Sequence, residues 1–203
     1  MSYSYRSRNY PQRGSLGPVV FLLGLNFVFF IATLIRPEIL YLLGLQPASL
    51  PFQPWTIVSS MFMHSGFWHL ITNMWMLFFF GSYLCRLVGE GRFLTVYLCG
   101  GILGNLFFIL LGPPFAIVVG ASGAIFALGG ALAMMRPKLR VFIFPIPVPM
   151  PLWVAVIGGF IFLTLIGWVA ALSIAWEAHL GGLIAGLIAG YFLRRRERRL
   201  LFS

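Results

Sequence analysis

Six apolar runs, each about as long as a membrane-crossing helix, dominate the 203-residue chain. They span residues 17–35, 68–85, 93–111, 119–135, 152–172 and 176–193. A helix needs roughly 20 apolar residues to cross a hydrocarbon core of about 30 Å. Only 9% of the residues are charged, whereas a soluble domain carries about 25%. The sequence therefore predicts an all-α, polytopic membrane protein built as a six-helix transmembrane bundle.

Proline-rich segments separate these runs and set the expected organisation. Residues 36–67 contain four prolines and are too polar to cross a membrane, so we expect a loop that lies in the membrane interface. Four alternating prolines at 145–151 break the chain between the fourth and fifth runs. We expect one six-helix domain over residues 15–193. The flanking segments 1–14 and 194–203 are predicted to be short basic tails.

The basic residues predict how the bundle is oriented. The net charge is +10, but the charges lie at the ends of apolar runs, where they set topology and contact anionic lipid headgroups. We therefore expect membrane lipid, and not nucleic acid, to contact them. If both termini are cytoplasmic, 13 of the 14 Lys and Arg residues lie inside and only Arg36 lies outside. The 13 are Arg6, Arg8, Arg13, Arg86, Arg92, Arg136, Lys138, Arg140, Arg194, Arg195, Arg196, Arg198 and Arg199.

Four polar side chains are expected at one depth in the bilayer. Counted from the cytoplasmic end of each helix at about 1.5 Å per residue, Ser122 lies about 21 Å up and His179 about 22 Å up. On the same scale Asn73 lies about 20 Å up and His69 about 25 Å up. His69 and Asn73 share one helix face because they are four residues apart. Since polar groups in hydrocarbon usually face a bundle interior or a wet cavity, we expect these side chains to meet.

A serine and a histidine at one depth predict nucleophilic catalysis inside the membrane. A neutral His179 would accept the hydroxyl proton of Ser122 and return it to the leaving amine. The Ser122 N–H, His69 and the Asn73 amide would stabilise the oxyanion. The chain has no aspartate and no His-Glu-x-x-His motif, which excludes aspartyl and zinc intramembrane proteases. Glu177 points to a different helix face from His179, so we predict a Ser-His dyad without a metal.

Three motifs resemble the rhomboid family of intramembrane serine proteases, and the likeness extends from the first span to Gly190. Residues 54–81 (PWTIVSSMFMHSGFWHLITNMWMLFFFG) are similar to the end of the family's first loop and its second helix. Residues 120–123 (GASG) are similar to the nucleophile motif, and residues 178–182 (AHLGG) are similar to the base motif. Each motif is weak alone, but the three together are specific to this family.

The resemblance implies a role for each polar residue and a class of substrate. Ser122 would be the nucleophile and His179 its general base, with oxyanion contacts from His69 and Asn73. Accessory positions are His64, Phe126, Gly120 and Gly123. Substrates would be membrane-anchored proteins, cut in or near a transmembrane helix without a cofactor.

The predicted topology indicates where the site opens, and the resemblance implies a path for the substrate. We expect a bacterial inner or plasma membrane, with the site opening to the extracytoplasmic side. Substrate would enter beside the fifth helix. We expect a polar cavity lined by His64, His69 and Asn73 and covered by the loop before the sixth helix, near residues 173–176.

Three positions depart from the family pattern. Thr56 follows Trp55 where the family often has arginine, and Cys85 stands where it has a glutamate. Both positions belong to the anchoring of the first loop. Phe126 replaces a tyrosine that stacks on the base, so the ring face is kept and the hydroxyl is lost. None of these changes removes a catalytic group.

Other interpretations stay open at this point. Small residues such as Gly182, Gly186 and Gly190 usually serve close packing of membrane helices, and a lone intramembrane histidine such as His64 is often structural. One alternative function is an inactive relative that binds transmembrane helices without cutting them. Another is a small transporter that uses the buried histidines and asparagine as a relay. The sequence predicts no oligomeric state.

Overall fold

The computed structural model describes residues 15–143, 146–170 and 172–202. The predicted N-terminal tail 1–14, with Arg6, Arg8 and Arg13, lies outside the described residues, as does Pro145. The described chain is helical except for its loops and one two-stranded sheet.

Five helices within the described ranges are long and apolar enough to cross a membrane, and a sixth is apolar but shorter. In chain order the helices are α1 (Gly17–Ile35), α2 (Ile39–Leu43), α3 (Thr56–Ser59), α4 (Phe67–Met76), α5 (Ser82–Val88), α6 (Glu90–Leu111), α7 (Ser122–Met135), α8 (Leu152–Val169) and α9 (Trp176–Phe202). A π-helical turn, Leu77–Gly81, joins α4 and α5 into one membrane helix. The predicted all-α, polytopic bundle is confirmed.

The helix that carries Ser122 starts later than the sequence predicts. The fourth apolar run begins at residue 119, but α7 begins at Ser122. Gly120 has a φ of +132°, a backbone conformation that favours glycine, and Val118 pairs with Leu45 in an isolated bridge. With 14 residues, α7 is about 21 Å long and shorter than a hydrocarbon core of about 30 Å. Arg136 lies at the other end of α7, where a basic residue is expected at the membrane surface. The Ser122 end therefore lies within the depth of the hydrocarbon core, inside the bundle.

Small residues hold α9 against α7. A Cβ atom at Gly182 would overlap the carbonyl oxygen of Gly123, and one at Gly186 would overlap the carbonyl oxygen of Ala127. A Cβ atom at Gly190 would lie 2.8 Å from the Cα of Ala131. Such contacts let membrane helices approach closely. The three glycines therefore serve the close packing of two membrane helices, α9 and α7.

Residues 36–66 form a loop of short helical turns beside the membrane helices. It contains α2, α3 and the 3₁₀ turns Pro47–Ser49 and Ser60–Phe62. Trp55 Nε1 donates a hydrogen bond to the Leu42 carbonyl at 3.0 Å, and Ser59 Oγ donates to the Leu43 carbonyl at 2.8 Å. Phe52 and Trp55 are exposed, as expected for aromatic residues at a membrane interface.

A β-hairpin connects α7 to α8, where the sequence indicated only a break between helices. Strand β1 (Arg140–Ile143) pairs with the antiparallel strand β2 (Ile146–Pro151). Proline cannot donate a ladder hydrogen bond and is confined to edge strands. Both strands of a two-stranded sheet are edges, so β2 pairs despite its alternating prolines.

Polar contacts join α7 and α9 at the end opposite Ser122. Arg136 forms hydrogen bonds with both carboxylate oxygens of Glu197, and Arg194 donates to the Met134 carbonyl at 3.2 Å. Helix α9 continues through residues 194–199, five of which are arginine, past the end of the sixth apolar run. The bundle therefore has a basic flank at this end.

Candidate active site

Ser122 and His179 come together where α7 begins. The distance between Ser122 Oγ and His179 Nε2 is 2.8 Å, although the residues are 57 positions apart in the sequence. The close contact between Gly182 and Gly123 lies next to Ser122 and His179. Gly123 follows Ser122 in the sequence, and Gly182 lies one turn after His179. The glycine packing of α9 on α7 thus places the hydroxyl beside the imidazole.

Packing fixes the imidazole ring of His179. The side chain is buried, and the Phe126 ring lies 4.8 Å away, centroid to centroid, at an interplanar angle of 34°. Phe126 is itself held by an edge contact with Phe160 of α8, at 6.0 Å. Among the described residues, His179 Nδ1 has no hydrogen-bond partner, and Glu177 does not bond to it. The part of the chain that the structure describes therefore offers a Ser-His pair without an orienting acid.

His69 approaches the turn that precedes Ser122. Its Nδ1 lies 3.1 Å from Ser65 Oγ. A Cβ atom at Gly120 would lie 2.8 Å from His69 Nε2, closer than side-chain carbons normally approach. Two features therefore favour glycine at position 120: its positive φ and the close approach of the His69 ring.

Asn73 lies one turn after His69 on α4 and is buried. Its Nδ2 donates to the His69 carbonyl at 2.7 Å. A primary amide carries two N–H donors, so one remains after this bond. Its Oδ1 is buried without a partner within the described residues. No hydrogen bond joins Asn73 to Ser122 or His179 in the described structure.

His64 packs against His69 and not against the serine. The two rings form an edge contact with centroids 5.1 Å apart. His64 is 1% exposed, and neither ring nitrogen has a partner in the described part of the chain. It borders a cavity of about 410 Å³ that is also lined by Phe30 and Thr33 of α1. We expected a cavity lined by His64, His69 and Asn73, but only His64 of these three borders this one.

Thr56 in the first loop and Cys85 in α5, which both depart from the family pattern, make hydrogen bonds of their own. Thr56 Oγ1 donates to the Gln53 carbonyl at 2.6 Å. Cys85 Sγ contacts the carbonyl of Ser15 at 3.2 Å, next to the start of α1. Both side chains are buried. Thr56 therefore makes a local bond within the first loop, whereas Cys85 links α5 to the residue that precedes α1.

Sequence reasoning missed two polar residues next to the site. Asn105, on α6, donates from Nδ2 to the Ile57 carbonyl at 2.7 Å and to Ser60 Oγ at 2.9 Å. The Ser60 carbonyl accepts a hydrogen bond from the Gly120 N–H at 2.9 Å. The available signal was a lone amide in the third apolar run, since polar residues inside a membrane are functional candidates.

The geometry suits acyl transfer. The Ser122 hydroxyl lies within proton-transfer distance of an imidazole. The N–H groups of a first helical turn lack intrahelical partners and attract negative charge, and Ser122 begins α7. No cluster of three His, Cys, Asp or Glu side chains that could hold a metal ion occurs among the described residues.

Comparison with known proteins gives several matches. The pattern of the Rhomboid domain matches residues 51–196. "Rhomboid protein 1, mitochondrial" of Saccharomyces cerevisiae is 33% identical over 165 residues, which cover 71% of this chain and 45% of that protein. "Putative rhomboid protease YdcA" of Bacillus subtilis is 33% identical over 149 residues, which cover 71% of this chain and 70% of that protein.

The names of the relatives do not all denote proteases. "Inactive RHOMBOID-like protein 8" of Arabidopsis thaliana is 33% identical over 84 residues, which cover 41% of this chain and 24% of that protein. The chain spans less than half of the yeast protein. The domain match covers most of the chain, and the apolar helices make the protein an integral, multi-pass membrane protein. The chain therefore belongs to the rhomboid family.

Proposed function

We propose that this chain is an intramembrane serine endopeptidase that cleaves membrane-anchored proteins in or near their transmembrane helix. The observation that carries the proposal is the 2.8 Å contact between Ser122 Oγ and His179 Nε2 at the buried end of α7. A hydroxyl paired with an imidazole is a nucleophile with its base. The name of the Bacillus relative supports the same reaction class.

Acylation and deacylation follow from this pair. Neutral His179 accepts the Ser122 proton at Nε2 while Oγ bonds to the carbonyl carbon of the scissile peptide. The carbonyl π electrons move to oxygen and form the oxyanion. His179 then gives the proton to the peptide nitrogen as the C–N bond breaks, and the amine leaves. A water molecule, deprotonated by His179, hydrolyses the acyl ester on Ser122 and restores the hydroxyl.

Three donors are assigned to the oxyanion. The first is the Ser122 N–H at the start of α7. The second is His69: when the Ser65 hydroxyl donates to Nδ1, the proton of a neutral ring is on Nε2, the nitrogen that faces the Gly120 turn. The third is the second N–H of the Asn73 amide. Donors fixed before reaction stabilise developing charge in a site that excludes bulk water.

We propose further that both termini are cytoplasmic, that the site opens to the extracytoplasmic side and that the protein resides in a bacterial inner or plasma membrane. The basic flank of α7 and α9, opposite Ser122, supports this orientation. Substrate is proposed to enter beside α8, whose Ile161 and Phe162 are exposed. The protease domain is assigned to residues 15–193.

Proteolysis by the purified protein tests the proposal. In detergent, with a model substrate that has one transmembrane helix, the wild type should cleave. Ser122→Ala and His179→Ala should each lower kcat at least about a thousandfold, as loss of a nucleophile or base does in serine proteases. Ser82→Ala is the matched control, because it removes another buried hydroxyl and should leave the rate unchanged.

A fluorophosphonate probe separates the protease from an inactive relative, which the name of the Arabidopsis protein keeps as a second candidate. Labelling of the wild type that disappears in Ser122→Ala supports the protease. A folded wild type that neither cleaves nor reacts supports a protein that only binds membrane helices. Solute flux that survives Ser122→Ala would instead indicate a transporter.

A further inference from the structure

Asn105 lies in α6 at the point where three parts of the proposed site meet. The residue before it, Gly104, packs against α9 and α7. A Cβ atom at position 104 would lie 2.6 Å from the carbonyl oxygen of Ala178 in α9 and 3.5 Å from the Cα of Gly123 in α7. Ala178 precedes the proposed base, and Gly123 follows the proposed nucleophile. The backbone of α6 is therefore packed directly against both.

The Asn105 side chain reaches the third part, the first loop. Its amide nitrogen donates to the Ile57 carbonyl and to Ser60 Oγ, at 2.7 and 2.9 Å. Both N–H donors of the amide are thus used. The Ser60 carbonyl in turn accepts the N–H of Gly120 at 2.9 Å. A chain of hydrogen bonds therefore runs from α6 through the loop to the turn that ends at Ser122.

These bonds matter because the loop and the turn are not regular helix. Backbone polar groups at membrane depth must find partners inside the protein, and Asn105 supplies one for Ile57. The side chain also fixes Ser60, whose carbonyl holds Gly120 beside the His69 ring. A displaced Ser60 would displace the Gly120 turn, and with it the hydroxyl and N–H of Ser122.

We propose that Asn105 is a positioning residue, which holds the Gly120 turn so that Ser122 meets His179. The inference rests on the proposed function for its effect on rate. Displacements of about 1 Å in a reacting geometry cost up to about a hundredfold in rate. Loss of the Asn105 amide should therefore slow the chemical step and leave substrate binding nearly unchanged.

Asn26 provides a matched control for the loss of a buried amide. It is also buried in a membrane helix, but its Nδ2 bonds to the Leu22 carbonyl of its own helix at 2.7 Å. No hydrogen bond connects it to Gly120 in the described structure. If Asn105 only stabilised the bundle, Asn105→Leu and Asn26→Leu would have the same effects.

The test measures kcat, KM and thermal unfolding for Asn105→Leu, Asn26→Leu and Ser60→Ala with the single-helix substrate. Asn105→Leu should lower kcat about 10- to 100-fold with KM within about twofold, and Asn26→Leu should lower only the melting temperature. Ser60→Ala keeps its carbonyl and should lower kcat less. Because the two residues act through one contact, Ser60→Ala should add nothing to Asn105→Leu.

Hydrogen exchange of the peptide around Gly120 gives a readout that does not need activity. Exchange there should accelerate in Asn105→Leu and stay unchanged in Asn26→Leu. A folded Asn105→Leu with wild-type kcat or wild-type exchange overturns the inference. If Asn105→Leu does not fold, an unchanged kcat and exchange in Ser60→Ala overturn it. If the wild type shows no cleavage that depends on Ser122, the proposed function is refuted instead. Hydrogen exchange around Gly120 then still decides whether Asn105 holds the Gly120 turn.

Discussion

Replacing Gly182 with alanine should separate the proposed nucleophile from its base without altering either. A Cβ atom at position 182 would lie 2.7 Å from the carbonyl carbon of Gly123 and 3.1 Å from its Cα, whereas ordinary contacts are 3.4–4 Å. Helix α9 must therefore move away from α7 by about 1 Å at this level. That shift acts directly on the 2.8 Å distance between Ser122 and His179.

The size of the effect follows from this displacement. A misplacement of about 1 Å costs up to about a hundredfold in rate, and overpacking of a tight core costs about 1–3 kcal/mol of stability. We expect kcat of Gly182→Ala to fall about a hundredfold, with a lower melting temperature. Cleavage of the single-helix substrate by the purified variant, followed at saturating substrate, measures the first effect, and thermal unfolding measures the second.

Gly190→Ala is the matched control for this prediction. Its Cβ atom would lie 2.6 Å from the carbonyl oxygen of Ala131 and 2.8 Å from its Cα, an overlap with the facing backbone that is milder at the oxygen than at Gly182 and lies about 12 Å further along α9. It should also lower stability but reduce kcat much less, because Ser122 lies at the other end of α7. Equal rate losses in the two variants, or a wild-type rate in Gly182→Ala, would refute local displacement as the cause.

Three further predictions concern the proposed base and its surroundings. Cleavage should fall as the pH is lowered through the pKa of His179, because imidazolium cannot accept the serine proton; a pH–rate profile with no acid limb anywhere in the range where the protein stays folded contradicts that role. Gly120→Ala should lose most activity and about 1–3 kcal/mol of stability in thermal unfolding, since alanine disfavours positive φ and its Cβ meets His69. Phe126→Ala should lower kcat up to about tenfold, because ring pairs contribute about 0.5–1.5 kcal/mol, whereas Phe126→Tyr should keep the wild-type rate.

Much of the fold could be predicted because a membrane restricts the backbone to few solutions. Helices satisfy their own polar groups in hydrocarbon, so runs such as 17–35 and 93–111 could be identified by length and hydrophobicity. The fixed rise per residue then allowed Ser122 and His179 to be compared for depth before any contact was known. The structure places their side-chain atoms 2.8 Å apart.

Other features depended on contacts between distant segments, which hydropathy does not encode. The late start of α7 follows from the bridge between Leu45 and Val118 and from the φ of Gly120. The role proposed for Asn105 depends on where the first loop folds against α6. The hairpin at 140–151 was missed because alternating prolines disfavour strands in larger sheets but are tolerated at an edge.

The shortness of α7 explains why the first loop bears on the chemistry proposed at Ser122. Because α7 does not span the bilayer, the segment before it must lie inside the bundle without helical hydrogen bonds, and its polar groups need partners there. The first loop supplies them: Leu45 and Val118 exchange two backbone bonds of 3.0 and 2.8 Å, and the Gly120 N–H bonds to Ser60 at 2.9 Å. The loop is therefore the scaffold of the turn that presents the serine. Substitutions that loosen it should alter Ser122 reactivity even where they do not touch the site.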